Sequence, residues 1–170
     1  IGGAPFDVTK MVVSDGVASN LGMRKFFASN PAAAFTFPIG VNGKYTPAIL
    51  NITASSTVGY INVIPVNSNH PAVLDPNEVL HYYWKTESSG ITGFKGSVTY
   101  QYLAGDVAGG PEADYVAANL MLPGSFWSKA TTGAATDNVD ETLHQARFNF
   151  NGVSNLSGDY TAGLDPALPD

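Results

Sequence analysis

The chain has 170 residues, of which 44% are hydrophobic and 13% charged, and its formal net charge is −6. This composition is too apolar for a disordered chain, and no apolar run approaches the roughly 18 residues that a membrane-spanning helix needs. With 8 basic residues against 14 acidic ones, binding to nucleic acid and insertion into membranes are not expected. The lack of cysteine excludes disulfides, thiolate zinc sites and cysteine nucleophiles.

Alternation of apolar and polar residues with a period of two dominates the chain, and helical periodicity is nearly absent. Asn-Gly pairs and Pro/Gly clusters separate the alternating runs and are typical of hairpin turns. One short helical turn is expected at Asp75–Glu78, with Asp75 as its cap. The final strand is expected to close the edge of a sheet. In chain order, the predicted strands are Phe35–Phe37, Tyr45–Ala54, Val58–Val66, Leu80–Lys85, Gly96–Leu103, Tyr115–Leu122, Ala146–Asn151 and Asp159–Ala162.

These runs predict an all-β fold, a two-sheet antiparallel β-sandwich of about eight to eleven strands with at most a short helical turn. Neither an internal repeat nor a linker divides the chain, so residues 1–170 are expected to form a single domain. The opening Ile1-Gly2-Gly3 has no methionine, and we expect the domain to be excised from a longer multidomain chain. The predicted core consists of Leu80, Tyr82, Trp84, Val98, Tyr100, Leu120, Phe148 and Phe150.

The histidines and carboxylates were the first candidates for catalysis. His70, His81 and His144 lie outside any helical metal-binding spacing, and structural or solvated roles are expected for all three. The sequence contains no nucleophile elbow, phosphate-binding loop or dinucleotide fingerprint. A glycosidase would need two carboxylates facing each other across a sugar. The acids lie in turn-like stretches, where carboxylates ordinarily face water, so we predict that the domain is not an enzyme.

A glycine-rich acidic loop is the candidate metal site. Asp106, Glu112 and Asp114 lie within nine positions, with no lysine or arginine between them. Carboxylates held close together repel one another and recruit a cation, and oxygen ligands favour Ca²⁺. The competing interpretation is that the loop is open and its acids are solvated. Calcium is the one cofactor that the sequence suggests.

Two aromatic residues are candidates for ligand binding. Trp84 shares the core register with Leu80 and Tyr82, so Tyr83 of the same strand points to the opposite face and is the more exposed residue. Trp127 lies at an expected strand start, where a core position and a half-exposed position are about equally compatible with the pattern. Exposed rings on a sheet would stack against sugars, and Tyr83 and Trp127 are therefore the predicted carbohydrate-binding residues.

Several phrases, in a fixed order, span about residues 20 to 165. The chain resembles β-sandwich modules of large secreted and cell-surface proteins of Bacteroidetes, often exported by the type IX system. The resemblance implies an extracellular domain in a multidomain protein, and it supplies neither catalytic residues nor an agreed ligand. The phrases that carry it are Met23-Arg24-Lys25-Phe26-Phe27, Phe35-Thr36-Phe37-Pro38-Ile39-Gly40, Lys44-Tyr45-Thr46-Pro47, Leu80-His81-Tyr82-Tyr83-Trp84-Lys85 and Leu156-Ser157-Gly158-Asp159-Tyr160-Thr161-Ala162-Gly163.

From these observations we expect a non-enzymatic structural or adhesive module of a secreted or cell-surface protein. Its expected partners are neighbouring domains of the same polypeptide, and glycans or other surface proteins. The alternative is a carbohydrate-binding module that uses exposed aromatic side chains.

Overall fold

The computed structural model describes residues 5–29, 33–55, 57–121, 126–129 and 139–170. Its architecture is all-β, as predicted. No helix within these ranges is long and apolar enough to cross a membrane. The strands are β1 (Val12–Val13), β2 (Met23–Phe27), β3 (Ala33–Phe37), β4 (Ile39–Val41), β5 (Lys44–Tyr45), β6 (Ala48–Ala54), β7 (Gly59–Val66), β8 (Tyr83–Ser89), β9 (Phe94–Gln101), β10 (Tyr115–Met121), β11 (Ser128–Lys129), β12 (Val139–Asp140), β13 (Gln145–Val153) and β14 (Gly158–Leu164).

Two antiparallel sheets form the sandwich. The six-stranded sheet has the order β11-β10-β14-β8-β7-β2, and the five-stranded sheet has the order β12-β13-β9-β6-β3. A small third sheet joins β1 to β4 in parallel and β4 to β5 antiparallel. The chain passes between the two large sheets after β2, β6, β8, β9, β11 and β13. Residues distant in sequence therefore share one core.

Aromatic side chains from both sheets fill the space between them. The Trp84 ring, on the six-stranded sheet, lies 5.1 Å from the ring of Tyr100, on the five-stranded sheet. Tyr160 stands 5.0 Å from Tyr100 and 5.0 Å from Phe148. Of the predicted core residues, Leu80, Tyr82, Trp84, Val98, Tyr100, Leu120 and Phe148 are buried, and Phe150 is partly buried against them. The core prediction is confirmed apart from the depth of Phe150 and the position of Leu120, which is buried in a separate cluster on the opposite face of the six-stranded sheet.

The polar ends of these buried aromatic residues all find partners, which satisfies the rule that a buried donor needs an acceptor. The Trp84 indole donates to the Thr46 carbonyl at 3.1 Å, and the Tyr82 hydroxyl shares a 2.6 Å hydrogen bond with the Thr46 hydroxyl. Tyr100 pairs with the hydroxyl of Thr86 at 2.6 Å. Thr46 therefore fixes two core rings from the short link between β5 and β6.

Three local predictions were wrong. Asp75–Glu78 is a single hydrogen-bonded turn rather than a helix: the Asp75 carboxylate caps it as expected by accepting the Asn77 amide at 2.8 Å, and the Glu78 amide bonds to the Asp75 carbonyl at 3.3 Å, but no further helical bond follows among these residues. The predicted Leu80–Lys85 strand begins only at Tyr83, because the amide of Leu80 bonds instead to Ala162 at 2.9 Å. The last strand is not an edge: it lies between β10 and β8, inside the six-stranded sheet.

The face of the six-stranded sheet that points away from the aromatic core, here the outer face, carries a second, smaller apolar cluster. Residues 67–80 and the C-terminal residues fold back over β10 and β14, joined by a 2.8 Å hydrogen bond from Leu74 to Ala167. This arrangement buries both faces of β10. The cluster consists of Val79, Val116, Ala118, Leu120, Trp127, Ala167 and Leu168, with Val73 against it. We call this the covered half of the outer face.

Candidate functional site

The two predicted carbohydrate-binding aromatics lie in the covered half. Tyr83 is 5% exposed and Trp127 4% exposed. Both rings pack edge-on against the imidazole of His70, at 4.7 Å and 4.9 Å between ring centroids. The expectation that Tyr83 is exposed was wrong because the outer face is covered there by residues 67–80. Neither ring is presented to solvent as a sugar-binding surface.

His70 is the polar centre of the covered half. Its Nδ1 accepts the Ala72 amide at 3.1 Å, so the ring proton is on Nε2, which donates to Asp159 Oδ2 at 3.0 Å. The other oxygen of the carboxylate, Oδ1, is buried without a hydrogen-bond partner in the described part of the protein. Burial and the charge of Asp159 raise the pKa of Tyr83. Both imidazole nitrogens are occupied, and His70 therefore joins the covering segment to β14.

The predicted calcium loop is folded into two separate 3-10 turns, Ala104–Asp106 and Glu112–Asp114. Asp106 is buried, forms an ion pair with Lys44, and accepts the Leu103 amide at 3.2 Å. Glu112 instead accepts the Tyr102 hydroxyl at 2.5 Å. Asp114 is exposed. Among the described residues no three acids or histidines are grouped to hold a metal ion, so the expected cluster of Asp106, Glu112 and Asp114 does not form.

His144 is the other histidine that contacts a carboxylate. Its Nδ1 lies 3.0 Å from Glu112 Oε1, and its backbone has a φ of 52°, unusual for a residue with a side chain. Within the described ranges the imidazole bonds to Glu112 alone, and no hydroxyl is aligned with it as a nucleophile. Burial, together with the hydrogen bond to Glu112, raises the pKa of Tyr102. The contact between His144 and Glu112 joins the start of β13 to the 3-10 turn Glu112–Asp114.

Of the other clustered acids, Asp140 and Asp165 have structural partners, Glu141 is exposed, and one lies outside the described ranges. The Asp140 carboxylate accepts the Thr142 and Leu143 amides at 3.1 Å and 3.0 Å, and Asp165 pairs with Lys129 at 2.9 Å. Asp137 lies outside the described residues. His81, as expected for a polar-face position, is exposed.

The other half of the outer face, formed by β2, β7 and the end of β8, is open and contains a polar pocket. We call it the open half. The pocket has a volume of about 520 Å³. It lies between the loop that precedes β2 and the strands β2 and β7. Four of its six lining residues carry hydroxyl, amide or guanidinium groups, although most of the exposed wall is apolar. The lining residues are Ser19, Asn20, Leu21, Gly22, Arg24 and Asn62.

The loop before β2 is held over the sheet by a short polar network. Asn62, which is 2% exposed, donates to the Leu21 carbonyl at 3.2 Å and to Glu87 Oε2 at 3.3 Å. The Ser14 hydroxyl accepts the Gly22 amide at 2.8 Å, and Lys85 donates to the Val17 carbonyl at 3.0 Å. These bonds fix the shape of the pocket wall before any ligand is present.

Glu87 is the only acid in this network. Partial burial by itself raises the pKa of Glu87, but hydrogen bonds from Ser19 and Asn62 and the charge of Lys85 outweigh burial, so the pKa lies below its usual value. Lys85 Nζ lies 3.5 Å from the Glu87 carboxylate. Glu87 is therefore ionised, and the positive charge of Lys85 balances its negative charge.

Two aromatic residues flank the pocket. The Arg24 guanidinium lies 4.2 Å from the centre of the Tyr60 ring, and Phe26, in the next outward position of β2, packs edge-on against Tyr60 at 5.6 Å. Phe26 is 64% exposed. The open half therefore presents an aromatic edge beside a polar pocket.

The residues of the open half were not among the predicted site residues, although one signal was available. Alternation in Met23–Phe27 places Arg24 and Phe26 on one face, opposite Met23, Lys25 and Phe27. The pocket wall at Ser19–Gly22 comes from an irregular loop, whose position depends on contacts with β7 and β8 and leaves no periodic signal.

Comparison of the chain with protein-family models, curated proteins and solved structures found no match.

Proposed function

We propose that this domain is a non-enzymatic adhesive module of a secreted or cell-surface protein, and that it binds carbohydrate in the polar pocket of the open half. The observation that carries the proposal is the pairing of a preformed polar pocket with the exposed ring of Phe26. The proposal keeps the carbohydrate-binding alternative of the sequence analysis and moves it from Tyr83 and Trp127 to a different part of the same sheet.

The chemistry of the pocket suits a sugar. Sugars present hydroxyl groups that need donors and acceptors in fixed directions, together with C–H faces that pack on aromatic rings. Hydroxyl, amide and guanidinium side chains line the pocket, and a few oriented polar groups beside an apolar surface are the usual composition of a small-molecule site. The rigid loop lowers the conformational entropy lost on binding.

The histidines and carboxylates that were candidates for catalysis hold parts of the fold together, which is consistent with a binding role. The histidine–carboxylate pairs His70–Asp159 and His144–Glu112 join structural elements, and both lie outside the pocket lining. The extracellular location rests on the resemblance to secreted modules, and neighbouring domains and other surface proteins remain its proposed partners.

The test compares two exposed phenylalanines on the same protein. Phe26→Ser removes the ring beside the pocket, and Phe126→Ser removes a ring of similar exposure, 68%, outside it. On a glycan array covering plant, algal and host polysaccharides, the wild-type chain and the Phe126 variant are expected to bind the same glycans. The Phe26 variant is expected to lose them. An array without wild-type binding, or equal binding by both variants, contradicts the proposal.

A further inference from the structure

We propose that the sugar held in the polar pocket carries a carboxylate, and that Arg24 is the residue that recognises it. This inference rests on the proposed function, since it names the class of glycan that the same pocket takes. Three features of the site support it: the contacts of the Arg24 side chain, the charges around Arg24, and the planar shape of its guanidinium group.

Arg24 has no counter-ion among the described residues. Its guanidinium contacts the Tyr60 ring, and it forms no ion pair or hydrogen bond with the described part of the chain. The ring orients the guanidinium and partly removes water from one side, which strengthens its attraction for an anion. An arginine held in this way at the rim of a pocket has five donors available for a ligand.

The acid closest to Arg24 in the sheet is already compensated. Arg24 pairs across the sheet with Asn62, and Asn62 pairs with Glu87. Two strand spacings separate Arg24 from Glu87 along this row, about 10 Å. Lys85 at 3.5 Å neutralises the charge of Glu87, and the Asn62 amide donates a hydrogen bond to it at 3.3 Å. The pocket therefore has a local positive charge, although the whole chain has a net charge of −6.

The geometry of the guanidinium fits a carboxylate. A guanidinium is a planar fork whose parallel N–H donors match the two oxygens of a planar carboxylate. In a uronic acid the carboxylate is attached to a sugar ring whose hydroxyls would reach the other polar groups. Ser19, Asn20 and Asn62 line the rest of the pocket. A single ligand would in this way engage both the arginine and the neutral polar wall.

The test uses defined oligosaccharides and calorimetry. Oligogalacturonate, oligomannuronate and oligoguluronate are compared with fully methyl-esterified oligogalacturonate, in which a methyl group on each carboxyl removes the charge, and with a sulfated galactan oligomer. At least one uronate oligomer is expected to bind about tenfold or more tightly than the ester, the range for a charge-assisted hydrogen-bonded pair. Its affinity is expected to fall as salt is added.

Arg24→Gln is expected to remove the preference for the charged oligomer, and Arg24→Lys to restore part of it, because lysine keeps the charge without the fork. Arg147→Gln, on the five-stranded sheet, is the matched control and is expected to bind like the wild type.

Equal binding of the ester, stronger binding of the sulfated oligomer, or an unchanged preference in Arg24→Gln would overturn the inference. If neutral glycans bind through Phe26 while no uronate is preferred, the proposed function stands and the carboxylate assignment fails. If no glycan binds at all, the proposed function itself fails.

Discussion

The two halves of the outer face are built from similar alternating strands and have opposite surroundings. In the covered half, Tyr83 and Trp127 are buried around His70 by residues 67–80 and the C-terminal segment. In the open half, Phe26 is 64% exposed beside a polar pocket. Alternation determines which face of a strand a residue occupies. Whether solvent reaches that face depends on which irregular segment folds over it, and that segment is fixed by contacts distant in sequence.

The largest expected effect is a loss of stability in the covered half. Trp127→Ala removes a side chain that is 4% exposed and donates to the Ala72 carbonyl at 3.3 Å. We expect the free energy of unfolding to fall by about 3–5 kcal/mol, the range for buried large aromatics. Phe126→Ala, one residue away and exposed, is the matched control, with an expected change within about 0.5 kcal/mol. Urea unfolding measures both, and similar midpoints for the two variants would show that the covered half is not packed as described.

The next effect concerns the hydrogen bond at the centre of the covered half. His70→Ala leaves the Asp159 carboxylate without the imidazole donor at 3.0 Å, although its other oxygen already lacks a partner. We expect a cost of about 1–3 kcal/mol, typical of a buried group left unsatisfied. In a double-mutant cycle with Asp159→Asn, the two costs are expected to be less than additive. Full additivity would mean that His70 stabilises the fold only through its ring packing and its bond to the Ala72 amide.

A pair of glycines tests the wall of the open half. Gly22 and Gly43 have nearly the same φ, +80° and +79°, but a Cβ at Gly22 would lie 2.2 Å from the Val63 carbonyl oxygen, whereas Gly43 has open space. Gly43→Ala is expected to cost about 1–2 kcal/mol from the left-handed backbone alone. Gly22→Ala is expected to cost more and to weaken glycan binding, because the loop must move away from β7. Equal melting temperatures for the two variants would contradict the close approach of the loop.

The sequence predicted the parts of the fold that depend on local pattern. The two-sheet sandwich and the burial of Trp84 and Tyr100 follow from alternation and from the high cost of exposing large aromatic rings. Asp106 shows where this reasoning fails. A buried acid in a glycine-rich loop resembles a metal ligand in sequence, and its actual partner, Lys44, is 62 positions away. The pairing depends on how the sheets bring β5 beside the loop, which no local spacing records.

The smallest expected effect is the dependence of the open half on pH. The hydrogen bonds from Ser19 and Asn62 and the charge of Lys85 lower the pKa of Glu87 in the folded protein below the usual 4.5. A carboxyl group with a lowered folded-state pKa stabilises the fold above its unfolded-state pKa and loses that contribution as the pH falls through the folded-state value. The difference in unfolding free energy between the wild type and Glu87→Gln is therefore expected to be constant near neutral pH and to shrink below about pH 4.5.

Urea unfolding from pH 7 to pH 3 measures this difference, with Asp114→Asn, an exposed acid, as the control. A difference that does not change with pH would show that the ionised Glu87 does not hold the loop, and the pocket wall would then depend on the bonds from the Ser14, Asn62 and Lys85 side chains to the loop backbone.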